Sequence, residues 1–306
     1  MELPLKAQIT PVERARLNRG YTVAISGVLL WSTTGIFIKY LIDHYPLEPL
    51  TLAFWRNVFV VVALAIGLWT VRREALHIKS RDRWFLFLYG LALSLMNTLW
   101  TYSVAFNGAA VSTVLIYASP GITAVAGYFL FRERLNAIRI VAILASLIGC
   151  VLVAQAYDPA AWNLNAAGIV IGILSAFSFT LYSLMGKAVF TRQINSWSAT
   201  WYAFVVAAIT LAFTQNGATV LSLGQHFDGW LILIVLAVIP TLGGFGLYAA
   251  SLGYLPASTA NLIATLEPVL TTLLAVIWLG EVLSAIQLVG GTLIVASVVS
   301  LRIEER

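Results

Sequence analysis

Stretches of about twenty apolar residues recur along this chain, each cut off by a short polar connection. Roughly 20 such residues, wound as a helix, cross the hydrocarbon core of a bilayer. Ten runs read this way, at about 21–42, 50–71, 84–106, 109–131, 136–156, 167–190, 196–214, 229–252, 256–279 and 284–302. Only Asn107-Gly108 separates the third from the fourth, so the spacing predicts a tight hairpin there. The longest connections, 72–83, 157–166 and 215–228, leave no room for a soluble domain. Charged residues make up 10% of the chain, against roughly 25% in a soluble protein. Such a surface suits lipid, where each backbone group must find its partner within the chain. The expected fold class is an all-α polytopic membrane protein with ten transmembrane helices.

The basic residues give the expected orientation. Sixteen of the 18 Lys and Arg lie before the first run, at or after the end of the last, or at alternate turns between them, and Lys39 and Arg56 are left over. Basic connections stay on the cytoplasmic side, so both ends are expected there and the ten-run count is self-consistent. Residues 1–20 read as a cytoplasmic tail rather than a cleavable signal, because no apolar run precedes Tyr21. The single cysteine, Cys150, excludes an intrachain disulfide. The basic clusters are too short and too close to the spans to suggest nucleic acid binding.

The chain also repeats itself. At a constant offset of 148, Pro120 falls on Pro268, Thr123 on Thr271, Glu133 on Glu281 and Leu135 on Leu283. A proline and a later glutamate are uncommon in apolar helices, so this match outweighs the many Leu and Val coincidences. Five spans per half is an odd number, so the second half is expected upside down relative to the first. The turn FRERLN after span four is basic, while its copy LGEVLS has no arginine and keeps Glu281. Opposite charge rules on two copies are what an inverted repeat predicts. The expected organisation is a tail at 1–20 and five-helix repeats at 21–156 and 167–302.

Glu267 is the costliest residue, a carboxylate in the middle of NLIATLEPVL. Two readings stand: it binds a substrate amine or a proton, or it braces the break at Pro268. Pro120 and Pro268 each remove a helix hydrogen bond, and matched helix breaks in two halves point to a transport site or its gating. Other polar and aromatic residues within spans are Trp31, Asn97, Trp100, Tyr102, Tyr117, Ser119, Tyr182, Asn261 and Thr265. Amide and phenol groups in lipid need partners, and aromatic rings form walls for apolar substrate parts. Together with Glu267 these are the candidate substrate-binding residues. Asn261, Thr265 and Pro268 follow helical spacing and share a face. Lys39 and Arg56 are expected to pair structurally, Arg56 with Glu48 or Asp43, with attraction of an anionic carboxylate as the alternative for Arg56. Gly243, Gly244 and Gly246 suit close helix approach rather than a phosphate loop. The residues suggest no metal cluster, no cofactor and no catalytic set.

Trp31-Ser32 early in span one, Phe177-Ser178 early in span six, and the two Pro…Glu-X-Leu signatures complete a pattern. With ten spans in two halves, it resembles the EamA type of the drug/metabolite transporter superfamily. The resemblance covers about residues 21 to 302. It implies transport of a small metabolite through a central cavity between the halves, by alternating access. Bacterial amino-acid exporters are the members most similar in size and aromatic content. The expected function is therefore export of amino acids or similar metabolites across the bacterial inner membrane, with protons as a potential coupling partner. A carrier of drugs, nucleotide-sugars or phosphate esters, or a membrane-embedded enzyme, is the alternative.

Overall fold

The computed structural model describes residues 10–71, 73–76, 78–158, 166–217, 219–279 and 282–305. Thirteen α-helices account for most of them, and no strand is found among the described residues. They are α1 (Pro11–Ser32), α2 (Thr34–His44), α3 (Pro49–Val71), α4 (Arg83–Ile116), α5 (Ser119–Phe131), α6 (Ala137–Val153) and α7 (Ala166–Thr191). There follow α8 (Ser196–Ala212), α9 (Phe227–Leu236), α10 (Gly244–Ser251), α11 (Ala257–Ala264), α12 (Leu266–Leu279) and α13 (Ala285–Glu304). A π-helical segment, Ala237–Gly243, joins α9 to α10.

Among the described residues, seven helical stretches are long and apolar enough to cross a membrane, and α6 and α8 are shorter apolar helices. One of the seven, Ser80–Phe131, has 52 residues and would measure roughly 78 Å if straight. It is not straight: Gly108 sits at φ 77° and ψ 165° within α4. Ser103 and Ser112, nine residues apart, share a side-chain hydrogen bond of 2.9 Å. Helix rise alone would hold them about 13 Å apart, so the chain folds back at Gly108 as the Asn107-Gly108 pair predicts.

The interior mixes an apolar core with many small polar side chains, and the exterior is rich in large apolar ones. Ser119, Thr123, Ser146, Thr180, Ser183, Asn261 and Thr265 are all buried, while Ile66, Trp69, Val141, Ile148, Val170 and Val299 are exposed. Small polar residues between helices and large apolar ones outside suit a lipid solvent. Glycines allow the closest approaches. A Cβ at Gly149 would lie 2.7 Å from the Gly290 carbonyl oxygen, which sets α6 against α13. Gly244 likewise lets α10 meet α1 beside Trp31.

The first helix starts earlier than Tyr21. Thr10 and Glu13 form a capping box (Glu13 N–H to Thr10 Oγ1, 3.2 Å; Thr10 N–H to Glu13 Oε2, 2.9 Å), which starts α1 at Pro11. Residues 11–20 therefore belong to α1, and Gly20 packs on Tyr254 and Leu255.

A candidate substrate site where broken helices meet

The two prolines break their helices at matching positions. Tyr117 and Ala118 separate α4 from α5, and Thr265 separates α11 from α12. Tyr117 and Thr265 are 148 residues apart, the offset of the repeat. In each case the proline opens the first turn of the next helix, where its missing N–H leaves no bond unmade. A third break lies at Thr33, between α1 and α2, without a proline. There the Ser32 and Thr33 hydroxyls donate to the carbonyls of Leu29 and Leu30 at 2.8 and 2.7 Å. The Thr271 hydroxyl of α12 donates to the Ser32 carbonyl at 3.0 Å.

The breaks at 117 and 265 come together. The Tyr117 hydroxyl donates to the Glu267 carboxylate, joining the two matched breaks directly. Ser119 donates to Asn261 Oδ1 at 2.9 Å, and the Asn261 amide donates to Thr123 at 3.0 Å and Ser183 at 3.2 Å. Thr123 continues to Thr180 at 3.1 Å, and Ser183 meets the Tyr248 hydroxyl at 2.7 Å. Ser146 donates to Thr265 at 2.6 Å. One chain of hydrogen bonds thus ties α5, α7, α10 and α11 beside Glu267. Trp31 closes one side, its ring 4.4 Å from Phe245, 5.9 Å from Phe179 and 6.0 Å from Tyr248. Tyr182 stacks on Tyr89 at 4.8 Å and on Tyr248 at 6.4 Å.

Of the candidate residues, Tyr117, Ser119, Asn261, Thr265 and Glu267 therefore gather with the buried prolines Pro120 and Pro268 at the breaks. Trp31 and Tyr182 join through their rings. Asn97 is buried with its amide nitrogen unpartnered, and Trp100 is half-buried. Neither is bonded to the network around Glu267. Tyr102 is 42% exposed and also stands outside it. The expected pairing of Arg56 with Glu48 or Asp43 is corrected. Asp43 is taken by Lys39 at 3.1 Å, one turn away on the same helix, and Arg56 forms no ion pair among the described residues. No group of three or more His, Cys, Asp or Glu among the described residues could hold a metal ion.

A second polar cluster closes one end of the bundle. Glu133 accepts from the backbone N–H groups of Ala257 at 2.7 Å and Ser258 at 3.3 Å, and from the Ser258 hydroxyl. It caps the start of α11, where helix N–H groups lack partners. Arg139, buried, pairs with Glu305 at 2.8 Å, and Glu305 also accepts from Thr259 at 2.7 Å and Tyr21 at 2.8 Å. Arg16 reaches the Gly253 carbonyl at 2.9 Å, and Lys187 those of Leu252 and Leu255 at 2.9 and 2.7 Å. The basic residues of widely separated connections thus converge on one end. Glu281, the copy of Glu133, lies outside the described residues. At the Tyr45 end, the Tyr45 hydroxyl donates to the Asp228 carboxylate, which pushes the phenol up to about 12.

Helices with apolar exteriors, several of them long enough to cross lipid, define a multi-pass membrane protein. The chain belongs to the EamA-like transporter family, which it matches over residues 18–155 and again over 166–303. It is therefore a membrane transporter of the drug/metabolite superfamily. It is 25% identical over 289 residues to a probable amino-acid metabolite efflux pump of Salmonella typhimurium, covering 90% of this chain and 91% of that one. It is 23% identical over 289 residues to a probable terminal-alkyne amino-acid exporter of Streptantibioticus cattleyicolor, covering 92% and 93%. A crystal structure of 18% sequence identity superposes with a TM-score of 0.77, covering 95% of this chain and 99% of the other, and so shares the fold.

Proposed function

We propose that this protein exports amino acids or similar zwitterionic metabolites across the bacterial inner membrane by alternating access. The observation that carries the reading is the Tyr117–Glu267 hydrogen bond, which joins the two matched helix breaks inside the bundle. A carboxylate there supplies the acceptor that a substrate ammonium needs. The Tyr117 hydroxyl is the group that an incoming amine displaces or a proton relieves. Trp31, Phe245 and Tyr248 provide an aromatic wall beside it for varied side chains.

Ten spans in two inverted repeats, 21–156 and 167–302, frame this site in our reading. The pairing of helices supports it: α6 packs on α13, α3 on α8, and α5 on α11. Each of these pairs joins one span to its copy, as expected of helices that lie beside a two-fold axis relating the halves. The convergence of basic residues on one end supports a cytoplasmic location for both termini. The relatives described as amino-acid exporters support the substrate class.

The test is counterflow of labelled amino acids into proteoliposomes. Saturable, protein-dependent flux for at least one amino acid is expected. Its absence for all twenty overturns the substrate, leaving drugs or phosphate esters as the remaining cargo. Glu267→Gln is expected to lower flux at least ten-fold and to flatten its pH dependence. Wild-type flux with an unchanged pH profile would assign Glu267 to structure alone.

A further inference from the structure

One buried cation lies outside both clusters described above. Arg56 is 8% exposed and Asn57 is fully buried. The Arg56 Nε and both polar atoms of the Asn57 side chain have no hydrogen-bond partner among the described residues. They lie on the inward stripe of α3, with Leu52, Ala53, Val60 and Leu64, while Val62, Ile66 and Trp69 face outward. Arg56 follows Pro49 by seven residues, which sets its backbone about 10 Å inside the helix end.

This is a costly arrangement for a structural role. Arg139 shows how the fold treats a buried arginine it keeps for structure: its Nε also lacks a partner, but its two terminal nitrogens are matched to Glu305 and hydrogen-bonded to Arg134, Ser258 and Thr259. Asp82, also buried, has Arg192 and Arg81. Arg56 has no such partner among the described residues, and a buried charge without one is destabilising. An ionisable residue in this position marks a ligand path more often than a packing contact. The missing partner is an anion. A guanidinium presents two parallel N–H donors to a carboxylate.

We propose that Arg56 is a carboxylate-binding subsite, separate from Glu267, that receives the acid group of the substrate in the half of the path nearer the Pro49 end of α3. It deepens the reading above by assigning the substrate's two charges to two places. Glu267 attracts the ammonium, and Arg56 draws the carboxylate onward. The subsite selects against amines that lack an acid group.

The experiment uses the full-length protein purified in detergent, with Arg56→Met and Arg56→Lys. Melting temperatures are read alone and with three matched mixtures: the twenty L-amino acids, their deaminated carboxylic acids, and their decarboxylated amines. Arg56→Met is expected to melt several degrees higher than wild type without ligand, because an unpaired buried charge is gone. It is expected to lose the stabilisation by both acid-bearing mixtures, with apparent affinity at least ten-fold weaker. Arg56→Lys keeps the charge without the fork and is expected to fall between. An Arg56→Met protein that melts lower, or that keeps the wild-type response to acids, overturns the subsite. If Arg56→Met does not fold, a wild type that responds alike to acids and amines also overturns it. Stabilisation by deaminated acids through Arg56, with no response to amino acids, would leave the subsite standing and remove the amino-acid reading.

Discussion

Glu133 shows what a single residue can reveal in a sequence of this kind. A glutamate at the same place in two copies stands out because carboxylates are rare in apolar chains, and its position at a turn suggests a cap. The structure gives it the first N–H groups of α11, from the opposite half of the chain. Arg139 carried no such signal. It reads as one more basic residue of a cytoplasmic turn, yet it is buried and paired with Glu305, 166 residues away. Contacts that distant are decided by packing, which no local pattern encodes. Tyr117 was legible as a polar ring in a span, but its bond to Glu267 was not, since the repeat aligns Glu267 with Ser119 instead. Glu133→Ala removes an N-terminal cap made by a charged acceptor and is expected to cost about 1–2 kcal/mol of stability. Thermal melts in detergent measure this, and an unchanged melting temperature would assign the cap no energetic weight.

At the scale of elements, breaks caused by proline could be read and breaks caused by hydroxyl groups could not. Proline removes a donor wherever it sits, so Pro120 and Pro268 locate the interruptions at 117 and 265. The interruption at Thr33 depends on Thr271, which lies 238 positions along the chain and holds the Ser32 carbonyl. Ser and Thr also pack ordinary membrane helices, so their presence in span one did not announce a break. The π-helical segment at 237–243 contains Pro240, a position the repeat does not duplicate. Thr271→Val leaves the Ser32 carbonyl without its donor and is expected to cost about 1 kcal/mol. The hairpin at Gly108 is stricter. A φ of 77° with ψ of 165° lies in a region that is essentially glycine's alone, and Gly108→Ala is expected to cost about 1–3 kcal/mol. Urea or thermal unfolding of the two variants should rank Gly108→Ala as the more damaging, and the reverse order would contradict the backbone argument.

For the whole molecule, lipid made the architecture readable. Every backbone bond must close within the chain there, so apolar run length and basic residues outline the spans before any contact is known. What the runs could not show is which state the bundle occupies. The end that gathers Arg16, Arg139, Lys187 and Glu305 is tied by Glu133 to the start of α11. If transport proceeds by alternating access, this end must part once in every cycle. Glu133 and Ser258 touch across the seam, so they are the place to hold it shut. Replacing Cys150, the single native cysteine, by alanine leaves a background in which Glu133→Cys and Ser258→Cys can be joined by a short bifunctional thiol reagent. Flux in proteoliposomes is expected to fall at least ten-fold on cross-linking and to return when a reducible linker is cleaved. The same pair left unlinked should transport, which separates the lock from the loss of the Glu133 cap. Full flux through the cross-linked protein would mean that this end stays closed throughout the cycle, and the two halves would then have to move about a different seam.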